Sequence, residues 1–158
     1  MIPSVEVGNE TEARLDLERV REFAQAVLAR EGDAGGLALA FVEEPVMAEL
    51  NERYRSLAEP TDVLSFSYAG VDDEDWPEPD DLEQEPFLGD VVICPAVASR
   101  NAVGDGITLD LELRRLVIHG ILHLMGYDHE SDQGQMQARE EALYIAVASE
   151  LSGSLVED

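Results

Sequence analysis

The apolar positions of this 158-residue chain change period several times, and each change marks an element. Residues 3–7 alternate apolar and polar side chains, the two-residue repeat of a half-buried strand. Leu17, Val20, Ala24, Val27 and Leu28 then fall three and four apart as the stripe of an amphipathic helix. Asn9 or Thr11 is its expected cap, and Gly32 with the Gly35 and Gly36 pair its stop. A glycine-bounded apolar run at 37–42 suits a buried strand. Pro45 fits the first turn of a second helix, whose expected inner face is Met47, Leu50 and Tyr54 and whose stop is Pro60. Residues 61–68 alternate β-branched and aromatic side chains and predict a third strand. The almost unbroken apolar run 88–94 predicts a fourth, central in its sheet. A helix follows Pro95 and closes near Gly104 and Gly106. From 108 to 125 apolar residues cover most of a helix circumference, so that helix must be buried and central. Asp132 with Gln135 has the form of a capping box before a last helix with Met136, Leu143, Val147 and Leu151 on its inner side. The expected fold is α/β (α+β): a mixed sheet of about four strands covered by helices, in one domain spanning 1–158.

Composition adds an acidic insertion and narrows the class. Residues 72–85 hold nine acids, two prolines and no base, which predicts a solvated loop over roughly 71–86. The run lacks the Asp-x-Asp-x-Asp-Gly pattern of a calcium loop. Acidity is not confined to it: 35 acids face 10 bases, all of them arginine, for a net charge of −25. Such a charge repels nucleic acid at long range and favours solubility. No apolar run has the length of a membrane span, and the N-terminus lacks a signal-peptide layout, so a cytoplasmic protein without membrane contact is expected. Cys94, the one cysteine, has no partner for an intrachain disulfide and lies in an apolar stretch, where an inert core thiol is expected.

Candidate chemistry is concentrated in one stretch, His119-Gly-Ile-Leu-His123-Leu-Met-Gly126-Tyr-Asp-His129, which holds all 3 histidines. His119 and His123 are four residues apart, so their rings leave one helix face within reach of a common metal ion. Gly126 can take the left-handed conformation that ends a helix and returns His129 over that face. Three imidazoles with a fourth position open are the ligand set of a catalytic zinc, though nickel and copper accept imidazole too. The rival reading, three satisfied core histidines, requires three polar rings in an apolar helix without a metal, at a high desolvation cost. The ligand spacing is that of the metzincin zinc peptidases, but their glutamate general base is Gly120 here, which can neither take nor give a proton. Peptide hydrolysis would need another carboxylate. Met136, at helical spacing, reads as core and not as a methionine turn. Arg115 precedes His119 by one turn and is a candidate second phosphate contact or a solvated helix cation. Asp128 suits either a turn or a hydrogen bond that orients a ligand ring.

The histidine block, together with Asn51-x-x-Tyr-Arg55, Pro60-Thr-Asp-Val-Leu-Ser-Phe66 and Leu88-Gly-Asp-Val-Val-Ile-Cys94, resembles the YbeY-like endoribonucleases, factors of ribosomal RNA maturation. The blocks keep their order over residues 51–129. The resemblance implies a small mixed sheet covered by helices, and one zinc ion per chain held by His119, His123 and His129. It implies catalytic roles for His119 and Arg55 in single-strand-specific cleavage of RNA. It further implies maturation of the small-subunit ribosomal RNA 3′ end, ribosome quality control, and access to RNA through the ribosome or a protein partner. Zinc lowers the pKa of water and polarises a phosphoryl oxygen, so such a site can dispense with the glutamate. Arg55 can grip a phosphate through two parallel N–H bonds; read without the resemblance, it is equally an exposed helix-end arginine. Asp62 and Asp90 lie in the matching blocks with no role that the sequence supplies. Two other classes stay open: a metal-dependent hydrolase of another bond, such as a peptidase, and a zinc-containing assembly factor without catalysis. The net charge predicts weak intrinsic affinity for RNA.

Overall fold

The helix expected to be central is central because its apolar residues outnumber what one face can carry. In the computed structural model, which describes residues 3–32, 35–67, 87–127, 134–151 and 153–157, the elements are β1 (Val5–Asn9), α1 (Leu17–Glu31), β2 (Gly36–Phe41), α2 (Glu44–Arg55), β3 (Val63–Ser67), β4 (Phe87–Ile93), α3 (Pro95–Asp105), α4 (Leu109–Leu124) and α5 (Gln135–Glu150). The sheet is mixed, in the order β1-β2-β4-β3, with β1, β2 and β4 parallel and β3 antiparallel to β4. The apolar run of β4 is thus central, as its composition requires.

Alternation along β4 divides the core. Val91 and Ile93 join the large cluster formed with Leu113, Val117 and Ile121 of α4 and with Val20, Phe23 and Val27 of α1. Val92 and Cys94 point the other way, into a small cluster with Val42, Met47 and Leu64 beneath α2. The histidine helix and α2 therefore lie against opposite faces of one sheet. Cys94 is fully buried, and desolvation pushes its thiol pKa up, so it is an inert core group.

Several local expectations shift. Helix α1 is capped by Asp16, whose carboxylate accepts from Arg19 N at 3.1 Å, because Asn9 is still paired in β1 and folds Thr11 into a turn through its own Oδ1. Helix α2 ends before Pro60, where Ser56 takes a left-handed φ of 59°. Its inner residues are Met47, fully buried as expected, and Asn51, 3% exposed, whose Nδ2 donates to Glu59 O at 2.7 Å; Leu50 packs at the margin of the small cluster, and Tyr54 is 59% exposed and only edges the Phe66 ring. Met136 is core, as expected. Helix α5 starts after Gly134 without a side-chain cap; the expected Asp132 cap and the acidic loop 71–86 lie outside the described residues. No helix among the described residues is long and apolar enough to cross a membrane.

Candidate metal centre

Helix α4 begins where Thr108 Oγ1 accepts from Leu111 N at 3.1 Å and ends where Gly126 turns left-handed, at φ 99°. There Gly126 N donates to His123 O at 3.1 Å and Tyr127 N to Leu122 O at 3.0 Å, the helix end that the glycine predicts. His129 and Asp128, the last two candidates of the motif, lie outside the described residues.

His119 and His123 are half-buried, with ring centroids 4.6 Å apart and planes at 76°. Their Nε2 atoms are 3.1 Å apart. Two neutral imidazoles approach this closely only when one donates to the other or when both lone pairs address the same cation. Two nitrogens bound tetrahedrally to one zinc would stand ~3.3 Å apart. The other nitrogen of His119, Nδ1, is hydrogen-bonded to Glu140 Oε1 on α5. A carboxylate that only accepts would hold the proton on Nδ1 and turn the Nε2 lone pair toward His123. This donor set suits a borderline metal held by imidazole nitrogens, while among the described residues no group of three ligand-type side chains is gathered.

Glu140 escaped the sequence reading. Its signal was present: Met136, Glu140, Leu143 and Val147 form one helical stripe, and a carboxylate in an otherwise apolar stripe calls for a partner.

Gly120 also acquires a physical role. A Cβ there would stand 2.6 Å from Val91 Cγ1, and Ser65 Oγ donates to Gly120 O at 3.1 Å. Residue 120 faces the sheet, away from its neighbour His119, so the place of the peptidase glutamate has no room for a side chain. From the sequence only the missing base was visible; the close approach of α4 to β4 was not.

Of the two candidate arginines, Arg115 is exposed and lines a groove between α4 and α5 with Glu140, Glu141 and Tyr144. Arg55 is exposed at the end of α2, against the opposite sheet face, and makes no ion pair among the described residues. Asp62 proves structural: its Oδ1 accepts from Val63 N at 2.8 Å, its Oδ2 from Asn101 Nδ2 at 3.4 Å, and its carbonyl from Cys94 N at 2.9 Å. It ties the start of β3 to α3 and to the end of β4. Asp90 pairs with Phe66 in the ladder between β4 and β3.

A family profile described as Endoribonuclease YbeY matches residues 5–148. An Endoribonuclease YbeY of Bifidobacterium animalis subsp. lactis is 42% identical over 136 residues, covering 85% of this chain and 73% of the relative. One from a Nocardioides strain is 40% identical over 132 residues, covering 80% and 84%. The solution structure of TM1509 from Thermotoga maritima superposes with a TM-score of 0.62 at 26% identity, covering 93% of this chain and 91% of that one. The profile spans every element from β1 to α4, which carries the motif, and the relatives match at about 40% identity over most of the chain, so the chain belongs to the Endoribonuclease YbeY family.

Proposed function

We propose that this protein is a zinc-dependent, single-strand-specific endoribonuclease that matures the 3′ end of small-subunit ribosomal RNA and serves ribosome quality control in the cytoplasm. The observation that carries the metal is the 3.1 Å approach of His119 Nε2 to His123 Nε2 in a chain of an endoribonuclease family. His119, His123 and His129 would hold the ion. Bound there, zinc supplies Lewis acidity toward a phosphoryl oxygen and makes water acidic enough to attack near neutral pH. The rest falls to the chain. Arg55, at the end of α2 where Tyr54 meets Phe66 of the edge strand β3, would reach round that edge to grip two non-bridging oxygens of the scissile phosphate, and Arg115, one turn from His119, holds a neighbouring phosphate. His119 is catalytic as a ligand at the reacting centre. The peptidase reading loses ground, since a glutamate at position 120 would collide with Val91.

A net charge of −25 leaves few cations to track a polyanion, so the enzyme reaches its substrate through the ribosome or a protein partner. The test is to incubate zinc-loaded protein with single-stranded RNA and with an unfolded protein, with and without chelator, beside His119→Ala and Arg55→Ala. RNA alone should be cut, chelator and His119→Ala should abolish cutting, and Arg55→Ala should slow it by about 100-fold. RNA cleavage that survives chelation and both substitutions overturns the proposal. Zinc uptake without cleavage would indicate an assembly factor, and chelator-sensitive proteolysis a peptidase. Tight, sequence-blind binding of free RNA at moderate salt would contradict the need for delivery.

A further inference from the structure

Helix α5 lies outside the histidine motif, yet it delivers a carboxylate to the first histidine. Glu140 shares its stripe with Met136, Leu143 and Val147, which are 1%, 1% and 0% exposed. Those apolar contacts fix α5 on α4. At the adjacent residue Arg139 Nε donates to Glu31 Oε1 at 2.5 Å, which ties α5 to the end of α1 as well. Glu140 thus approaches His119 from an element held on two sides.

What it does there follows from tautomers. A neutral imidazole can carry its proton on either nitrogen, and only the deprotonated nitrogen can bind a metal. Facing water, His119 would divide between the two forms. Facing an acceptor that cannot donate, it is held with the proton on Nδ1 and the lone pair on Nε2, the nitrogen 3.1 Å from its counterpart on His123. The same contact fixes the ring rotation and draws negative charge toward the ring, making Nε2 a stronger donor. We infer that Glu140 is a positioning residue of the metal centre, which sets the tautomer, orientation and donor strength of His119 without touching metal or RNA. The inference rests on the zinc reading above and extends the site to α5.

The experiment measures zinc affinity by competition with a chromogenic chelator, and the His119 tautomer by long-range nitrogen NMR of the metal-free protein. The chains compared are wild type, Glu140→Ala, Glu140→Gln, Glu141→Gln and His119→Ala. Metal-free thermal unfolding is recorded for each. Glu140→Ala should weaken zinc binding about 10- to 100-fold and spread His119 over both tautomers. Glu140→Gln, isosteric and still offering an acceptor oxygen without the charge, should lose less and fold as wild type does. Glu141→Gln removes the same charge from the same groove and should change neither readout. Wild-type affinity and tautomer in both Glu140 variants overturn the inference alone. An equal loss in Glu141→Gln overturns it too, because the cause would then be the charge of the groove and not the hydrogen bond. Equal zinc affinity in wild type and His119→Ala overturns the zinc reading itself, and the inference with it.

Discussion

Residues 114 and 115, and again 119 and 120, are chain neighbours on α4 turned about 100° from each other, one buried and the other open to solvent. On the buried side Arg114 and Asp110 meet fixed partners. Arg114 is 7% exposed; its Nε donates to both carboxylate oxygens of Asp110, at 3.2 and 3.1 Å, and its Nη2 to Gly153 O, while its guanidinium lies 5.3 Å from the Phe23 ring centroid. Asp110 Oδ1 also accepts from Leu155 N at 2.6 Å, so this pair fastens the C-terminal segment to α4. Gly120 is used in the same sense by its contact with Val91. On the outer side Arg115 opens into the groove toward α5, and His119 keeps a ring nitrogen directed at a second histidine. Polar groups matched to fixed partners hold the helix in place. Those left facing one another can take a ligand.

The largest test of that division is at the glycine. Gly120→Glu restores the full peptidase pattern, yet it drives a charged side chain into β4, and a loss of more than about 4 kcal/mol or outright failure to fold is expected by urea unfolding. Gly120→Ala, one methyl 2.6 Å from Val91 Cγ1, should cost about 1–3 kcal/mol. A Gly120→Glu protein that folds as wild type does and cleaves peptides would falsify the assignment of residue 120 to the sheet side. Next, Arg114→Ala leaves Asp110 and Gly153 O without their cation and should cost about 3 kcal/mol, less than a fully enclosed pair because Asp110 is 22% exposed. Zinc uptake per folded molecule should stay unchanged, as a purely structural arginine requires. Smaller still, Thr108→Ala removes the cap at the start of α4 and should cost about 1 kcal/mol in the same measurement.

Sequence periodicity reached the buried side better than the outer one. The unbroken apolar run of α4 could only be a central helix, and the run of β4 only a central strand, because no other placement hides so much apolar surface. Gly126 announced its own turn. Contacts between elements were out of reach. Asn51 turns inward only because Glu59 O is there to meet it, and Gly120 is needed only because Val91 stands opposite. Arg114 and Arg115 are the same residue type in adjacent positions, and nothing in their spelling says that one is enclosed and the other exposed. Glu140 sits 21 residues beyond His119, and only the folding of α5 onto α4 makes them partners.

The smallest effect asks whether the two sides of α4 sense each other. Glu112 is 8% exposed, and its pKa is raised above the ordinary 4.5, first by desolvation and then by Asp62 and Asp105, with Arg115 acting the other way. The folded protein therefore holds this proton more tightly than the unfolded chain. Its stabilising share is complete below 4.5 and is lost as pH rises through the folded value. Near neutral pH, Glu112→Gln should accordingly raise the thermal midpoint, and the gain should shrink toward zero as pH falls below 4.5. Arg115, on the outer side, is the one neighbour among the described residues that favours the charged form. In an Arg115→Ala background the gain from Glu112→Gln at neutral pH should be larger than in wild type, a non-additivity that a double-mutant cycle measures directly. An equal gain in both backgrounds would mean that Arg115 contributes nothing to the buried side. It would then be as free for an incoming phosphate as its exposure allows, and the division between the two sides of α4 would be complete.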